Sequence, residues 1–164
     1  MKRILVYIAL LAYLPAFPQN KLVKYELVGQ YSEEKLTEHW KKKKVPQRIA
    51  PVDCSVDVYH LTYYTQWHDG TPIKASGFYF VPETASKEVP LLCYHHGTRI
   101  DRDSLFHLGG EETLCMVFAA SGYAVLMPDY VGLGLGEKFH LYHHIETEAM
   151  SSIDMIIQVQ PGFN

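Results

Sequence analysis

Three stretches between residues 90 and 130 limit the folds open to this chain more than any other feature. PLLCYHH (90–96) is a continuous apolar run that ends in two histidines, and YAVLMPDY (123–130) is a second apolar run. Between them EETLCMVFAA (111–120) places Leu114, Cys115, Val117 and Phe118 at helical spacing, and Ser121-Gly122 follows as a helix stop. Continuous apolar strands suit a parallel sheet buried on both faces, so the order strand, helix, strand predicts a βαβ unit with a right-handed crossover. The expected class is α/β.

The preceding residues predict an antiparallel hairpin. SVDVYHLTYYTQW alternates Val56, Val58 and His60 with Asp57, Tyr59 and Leu61 and is rich in β-branched and aromatic residues. HDGTP is a turn, and IKASGFYFVP is the returning strand. Upstream, residues 20–50 read as a helix and a linker. Ser32 caps SEEKLTEHWKKKK, with Glu33 and Glu34 in the first turn and Lys41 to Lys44 in the last, and Leu36 and Trp40 one turn apart. VPQRIAP, with Pro46 and Pro51, reads as an extended linker. Downstream, ETEAMSSIDMIIQVQ predicts a second helix with Ala149, Ile153, Ile156 and Ile157 on one face, closed by Pro161-Gly162.

Residues 1–19 have the form of a secretory signal peptide: Lys2 and Arg3, then an apolar run from Ile4 to Leu14 that is too short to span a bilayer and is broken by Pro15 and Pro18. The expected destination is periplasm or medium, with no stable membrane anchor once the leader is removed. Net charge is -3 and becomes more negative without Lys2 and Arg3, which argues against a nucleic acid partner. With 48% hydrophobic and 20% charged residues in 164, the chain has globular composition and room for one domain. Cys54, Cys93 and Cys115 are odd in number; one disulfide plus a thiol and three inert buried thiols are both open, and Cys93 and Cys115 fall within apolar elements.

Ligands of open α/β sheets gather where parallel strands end. Two loops leave such ends, HHGTRIDRDS and PDYVGLGLGEKFHLYHH. In the first, Gly97 allows a sharp turn, so that the Gly97 and Thr98 amides face one point and can hold the oxyanion that develops when an ester or amide is attacked.

The hairpin, the strand ending YHHGT, the helix, GYAVLMPDYVGLGLG and the helix beginning HIETEAMSSIDMI together resemble the front half of a secreted α/β-hydrolase, closest to the secretory lipase and esterase branch. The resemblance covers residues 50–160 approximately and rests on HHGT and PDYxGxG in that order. It implies that the Thr98 amide is an oxyanion donor, that His95 and His96 shape its loop, and that Asp129, beside Tyr130, organises the turn after its strand.

The family sets its nucleophile in a G-x-S-x-G elbow, followed by an acid and a histidine. No G-x-S-x-G occurs in this sequence, and Ser76, Ser121, Ser151 and Ser152 lie in other contexts. Residues 51–164 are therefore expected to be the N-terminal part of a hydrolase domain, a truncated α/β-hydrolase fold with no catalytic side chain of its own. The expected function is part of an exported serine hydrolase acting on a small-molecule ester or lipid through an acyl-enzyme, inactive in this form. A peptidase of the same superfamily and a noncatalytic binding module remain alternatives. By the family's strand order PLLCYHH should form a sheet edge, which predicts self-association.

No cofactor and no metal are assigned. HLYHH would bring His140 and His144 onto one face if helical, yet no cysteine or paired carboxylate completes a ligand set. GLGLG lacks the dinucleotide-binding order and reads as a turn-forming cluster. Asp129 and Glu137 as a catalytic acid pair is a weaker reading. Asp101, Arg102 and Asp103 read as a solvated loop.

Overall fold

Alternate residues of the central strands point to opposite sides of one sheet, and each side has its own helix to pack against. The computed structural model describes residues 22–159 apart from Lys87, Ile100, Asp103 and Ser104. The leader, the Pro161-Gly162 stop and Asp103 lie outside the described residues. Strands β1 (Leu22–Tyr31), β2 (Val56–Gln66), β3 (Pro72–Pro82), β4 (Leu91–Cys93) and β5 (Ala124–Pro128) form a sheet of order β1-β2-β3-β5-β4. The β1–β2, β2–β3 and β3–β5 pairs are antiparallel, while β4–β5 is parallel and joined through helix α2 (Glu112–Ala120), the expected βαβ unit.

Val56, Val58, Phe78, Phe80, Val125 and Met127 meet Cys115, Met116 and Ala119 of α2 in one core. Leu61, Tyr63, Tyr79 and Leu126 meet Met155 and Val159 of helix α3 (Ile145–Val159) in the other. Both faces of β2 are thus covered, which explains why His60 and Leu61 are buried side by side where simple alternation would expose one of them.

Helix α1 (Glu33–Lys43) forms as its sequence dictates. The Ser32 hydroxyl accepts from the Lys35 amide at 3.3 Å, and Lys44 closes the helix in the left-handed region. Leu36 and Trp40 are fully buried, and burying a leucine side chain contributes about 1.5–3 kcal/mol.

Four features depart from expectation. Strand β1 precedes α1 in the segment read as helix and linker, pairing Tyr31 with Val56 and Tyr25 with Leu61. Residues 46–50 form a turn rather than an extended linker, because the Ile49 and Ala50 amides both donate to the Pro46 carbonyl and Ala50 is buried. Both later helices are rotated from the predicted faces. Leu114 and Phe118 of α2 are 49% and 39% exposed, and the small Ala119 and Ala120 lie against the sheet. In α3, Ala149, Ile153 and Ile157 face outward, while Thr147, Ser151, Ser152, Met155 and Gln158 are buried.

The polar inner face of α3 is satisfied locally. Ser151 and Ser152 donate to the Glu148 carbonyl, and the Gln158 amide both donates to and accepts from the Tyr64 backbone at 2.7 and 3.2 Å. Small hydroxyl residues bring this helix close to Leu61 and Tyr63, an approach that isoleucines would block.

Candidate active site

Both loops at the carboxyl ends of β4 and β5 fold against each other. The Tyr94 amide donates to the Leu126 carbonyl at 2.7 Å, extending the parallel ladder one residue past β4. The chain then leaves the sheet through His95, which is exposed, and His96, which is buried. His96 lies between the loops: Nδ1 is 2.7 Å from the Gly97 carbonyl oxygen, Nε2 is 3.3 Å from that of Asp129, and the Tyr130 ring packs on it with centroids 4.4 Å apart.

Gly97 differs from expectation in two respects. Its φ lies outside the left-handed region, and an added Cβ would meet only the Glu111 carboxylate, at 3.5 Å, so the bend does not require glycine. Its amide does not point freely into the site but donates to Glu111 Oε1 and Oε2 at 3.0 and 3.2 Å. Tyr94 donates to the same carboxylate at 3.1 Å. Burial works to raise the Glu111 carboxyl, but the Gly97 amide, the Tyr94 hydroxyl and Arg99 outweigh it and hold it below its ordinary value. Arg99 pairs with Glu112 at 2.5 Å, fastening the loop to the start of α2. Of the two expected oxyanion donors, only the Thr98 amide makes no hydrogen bond among the described residues. Thr98 itself lines the cleft.

The second loop is shaped from below. Asp129 is 2% exposed and faces the sheet rather than the cleft. Ser76 Oγ donates to Asp129 Oδ2 at 2.6 Å and accepts from the Leu135 amide at 2.8 Å, and His60 Nε2 lies 3.7 Å from the same carboxylate oxygen. Asp129 and the Leu135 amide thus share Ser76 as a hydrogen-bonding partner. Gly134 passes so close that a Cβ would sit 2.1 Å from Asp129 Oδ2, and Gly132 and Gly134 have φ of 83° and 53°. The GLGLG cluster is a turn that only glycine can make.

Tyr130 has φ 65° despite its bulky side chain, a strain of about 1–3 kcal/mol, held in place by its packing on His96. Burial pushes its phenol up to about 12.

Arg102, read as part of a solvated loop, ties the two loops together. Its guanidinium donates to the carbonyls of Gly132 at 2.6 Å, Gly136 at 2.9 Å and Lys138. Glu137 does not pair with Asp129; its carboxylate accepts from the Lys74 amide at 3.1 Å. His140 and His144 do not share a helical face: His140 Nδ1 meets the Val131 carbonyl and His144 Nδ1 meets Thr147 at the start of α3. Among the described residues no group of three or more His, Cys, Asp or Glu is placed to hold a metal ion. The three cysteines are unpaired thiols, Cys54 and Cys115 buried and Cys93 half-buried.

The loops border an open hollow of about 210 Å³, lined by His96, Thr98, Tyr130, Tyr142 and Glu148 among others. Thr98 Oγ1 lies 3.3 Å from the Tyr142 hydroxyl across its mouth. On the far side of Thr98 and Arg99 a second hollow, about 410 Å³, opens toward Leu105 and Glu112. Thr98 therefore borders both hollows, past the end of a parallel strand and beside a packed turn.

This fold and loop arrangement relate the chain to the α/β-hydrolases. It superposes on a Legionella pneumophila protein provisionally assigned as a hydrolase with a TM-score of 0.72 and 35% identity, over 86% of this chain and 39% of that one. It superposes on the rice cell wall degrading esterase LipA of Xanthomonas oryzae with a TM-score of 0.73 and 25% identity, over 88% and 38%. Candida antarctica lipase A in its closed state shares the fold alone, at 10% identity and a TM-score of 0.59. The chain therefore spans less than two fifths of the length of these enzymes. No family model and no curated protein matches the sequence.

Proposed function

We propose that this chain is the front portion of an exported serine ester hydrolase, and that it supplies one oxyanion donor, the Thr98 amide, to a nucleophile carried elsewhere. The observation that bears most of this reading is the meeting of the HHGT and PDYVGLG loops around Thr98 at the ends of two parallel strands. The hydrolase neighbours add weight, as does their greater length. Export is supported by the charged and apolar character of residues 1–19. Among the described residues no helix is long and apolar enough to cross a membrane.

Attack on an ester carbonyl moves negative charge onto its oxygen. A main-chain N–H aimed at that position stabilises the transition state without reorganising. Glu111 and Arg102 would act as positioning residues, the first fixing Gly97 so that the next amide is presented, the second holding the opposite wall. The chain alone should not hydrolyse p-nitrophenyl acetate above the buffer rate. A fusion in which residues 22–159 replace the matching segment of the Legionella protein should do so with an acyl-enzyme burst. Thr98→Pro in that fusion removes the N–H and should lower kcat by roughly 10²–10³-fold. A folded fusion without activity, or a Thr98→Pro variant with unchanged kcat, would overturn the reading.

A further inference from the structure

Tyr130 is held in a way that packing alone does not require. Its φ of 65° lies in the left-handed region, which a bulky residue enters only where its surroundings enforce it. The turn does so from both sides. The Asp129 amide donates to the Ser76 carbonyl at 2.9 Å, and the Leu133 amide donates to the Tyr130 carbonyl at 3.4 Å. The result is a side chain 7% exposed, stacked on His96 and bordering the same hollow as Thr98. Strain of this kind collects where a side chain has to be aimed.

The ring is fixed, but the hydroxyl is loosely engaged. It donates to the His96 carbonyl at 3.5 Å, well beyond the roughly 2.7–2.8 Å usual for a hydroxyl donor, so little is lost when it turns to a better acceptor. The Thr98 amide follows that carbonyl by two residues, so phenol and amide approach the hollow from neighbouring points. Burial, with the Glu148 carboxylate next, pushes the phenol up to about 12; it keeps its proton and meets an anion as a donor. Glu111 takes the Gly97 amide, which leaves the developing charge short of a partner on this side. We infer that the Tyr130 hydroxyl is a further oxyanion donor beside the Thr98 amide. The inference rests on the hydrolase reading. As the nucleophile's oxygen bonds to the ester carbon, the carbonyl π pair moves onto its own oxygen, and the phenol turns from His96 to that charge without giving up its proton. The pair returns when the alcohol leaves, carrying the proton taken from the nucleophile. A donor that strengthens as charge builds acts on kcat rather than on KM.

Tyr130→Phe in the fusion with the Legionella protein tests it, because the ring stays on His96 and only the hydroxyl is removed. The kcat for p-nitrophenyl acetate should fall roughly 10²-fold with KM nearly unchanged. Inhibition by butylboronic acid, whose tetrahedral adduct carries the negative charge of the transition state, should weaken in step with kcat. The melting temperature of the fusion should not move. Tyr123→Phe, at the surface beyond α2 and 39% exposed, should change none of these quantities. An active fusion indifferent to Tyr130→Phe, a fall in kcat with boronate inhibition unchanged, or a fall that comes with a raised KM and a lowered melting temperature would each overturn the inference and leave the hydrolase reading standing. A folded parent fusion without activity would remove both.

Discussion

Removing the Ser76 hydroxyl would strip a buried carboxylate of a 2.6 Å hydrogen bond and the Leu135 amide of its acceptor. Leaving such groups unpaired costs about 1–3 kcal/mol, more where one is charged, so Ser76→Ala should lower the urea midpoint with an unchanged slope. Gly134→Ala should be at least as damaging, since its Cβ would collide with Asp129 at a positive φ. Gly97→Ala should be tolerated, because neither its φ nor its surroundings demand glycine, and equal melting temperatures would show it. Glu111 gives a pH dependence. Its folded-state carboxyl titrates below the ordinary value of 4.5, so its contribution is complete above that value and is lost as pH falls through the folded one. Amide exchange at Gly97 should accelerate in that acid range beyond the trend of neighbouring amides, and Glu111→Gln should abolish the step.

Among the elements, those whose signals are local were legible in the sequence and those decided by distant partners were not. The Ser32 cap, the Leu36/Trp40 stripe and the glycines of the second loop announce themselves within a few residues. Leu36→Ala should cost about 2–5 kcal/mol, measured by thermal unfolding. Strand β1 carries a short period-two alternation, Lys24-Tyr25-Glu26-Leu27, but at the sheet edge its apolar side stays largely exposed, with Tyr25 62% and Leu27 45%, so its place is decided by pairing with β2 rather than by a buried face. The rotated faces of α2 and α3 have a related cause. Spacing of large apolar residues reports amphipathicity, but close approach to a sheet favours alanines and serines, which carry little hydrophobic signal. At the candidate site, the two loops that follow β4 and β5 were visible from motif order. The roles of Glu111 and Arg102 were not, because a carboxylate meeting an amide 14 residues away, or a guanidinium meeting a carbonyl 30 residues away, leaves no local pattern.

At the scale of the whole molecule the sheet ends in β4, three residues with Leu91 40% exposed and no further strand alongside among those described. Unpaired edge groups of this kind recruit other strands. The purified chain should elute from size exclusion at a volume that shifts with concentration, and Leu91→Lys should reduce the shift. A concentration-independent monomer would count against edge pairing. The uncovered apolar side of α3, with Ile153 47% and Ile157 41% exposed, should add binding of a hydrophobic dye to the native state.

The anchoring of the second loop on Ser76 has a practical corollary for anyone varying that loop. Within residues 138–143, Phe139 and His140 are part of the scaffold, since the Phe139 ring packs on Trp67 and His140 Nδ1 meets the Val131 carbonyl, whereas the 59% exposed Tyr142 can be varied without touching Ser76, Asp129 or Gly134. A library that randomised positions 76, 129 or 134 would mostly sample collapsed loops, and its losses would report misfolding alone.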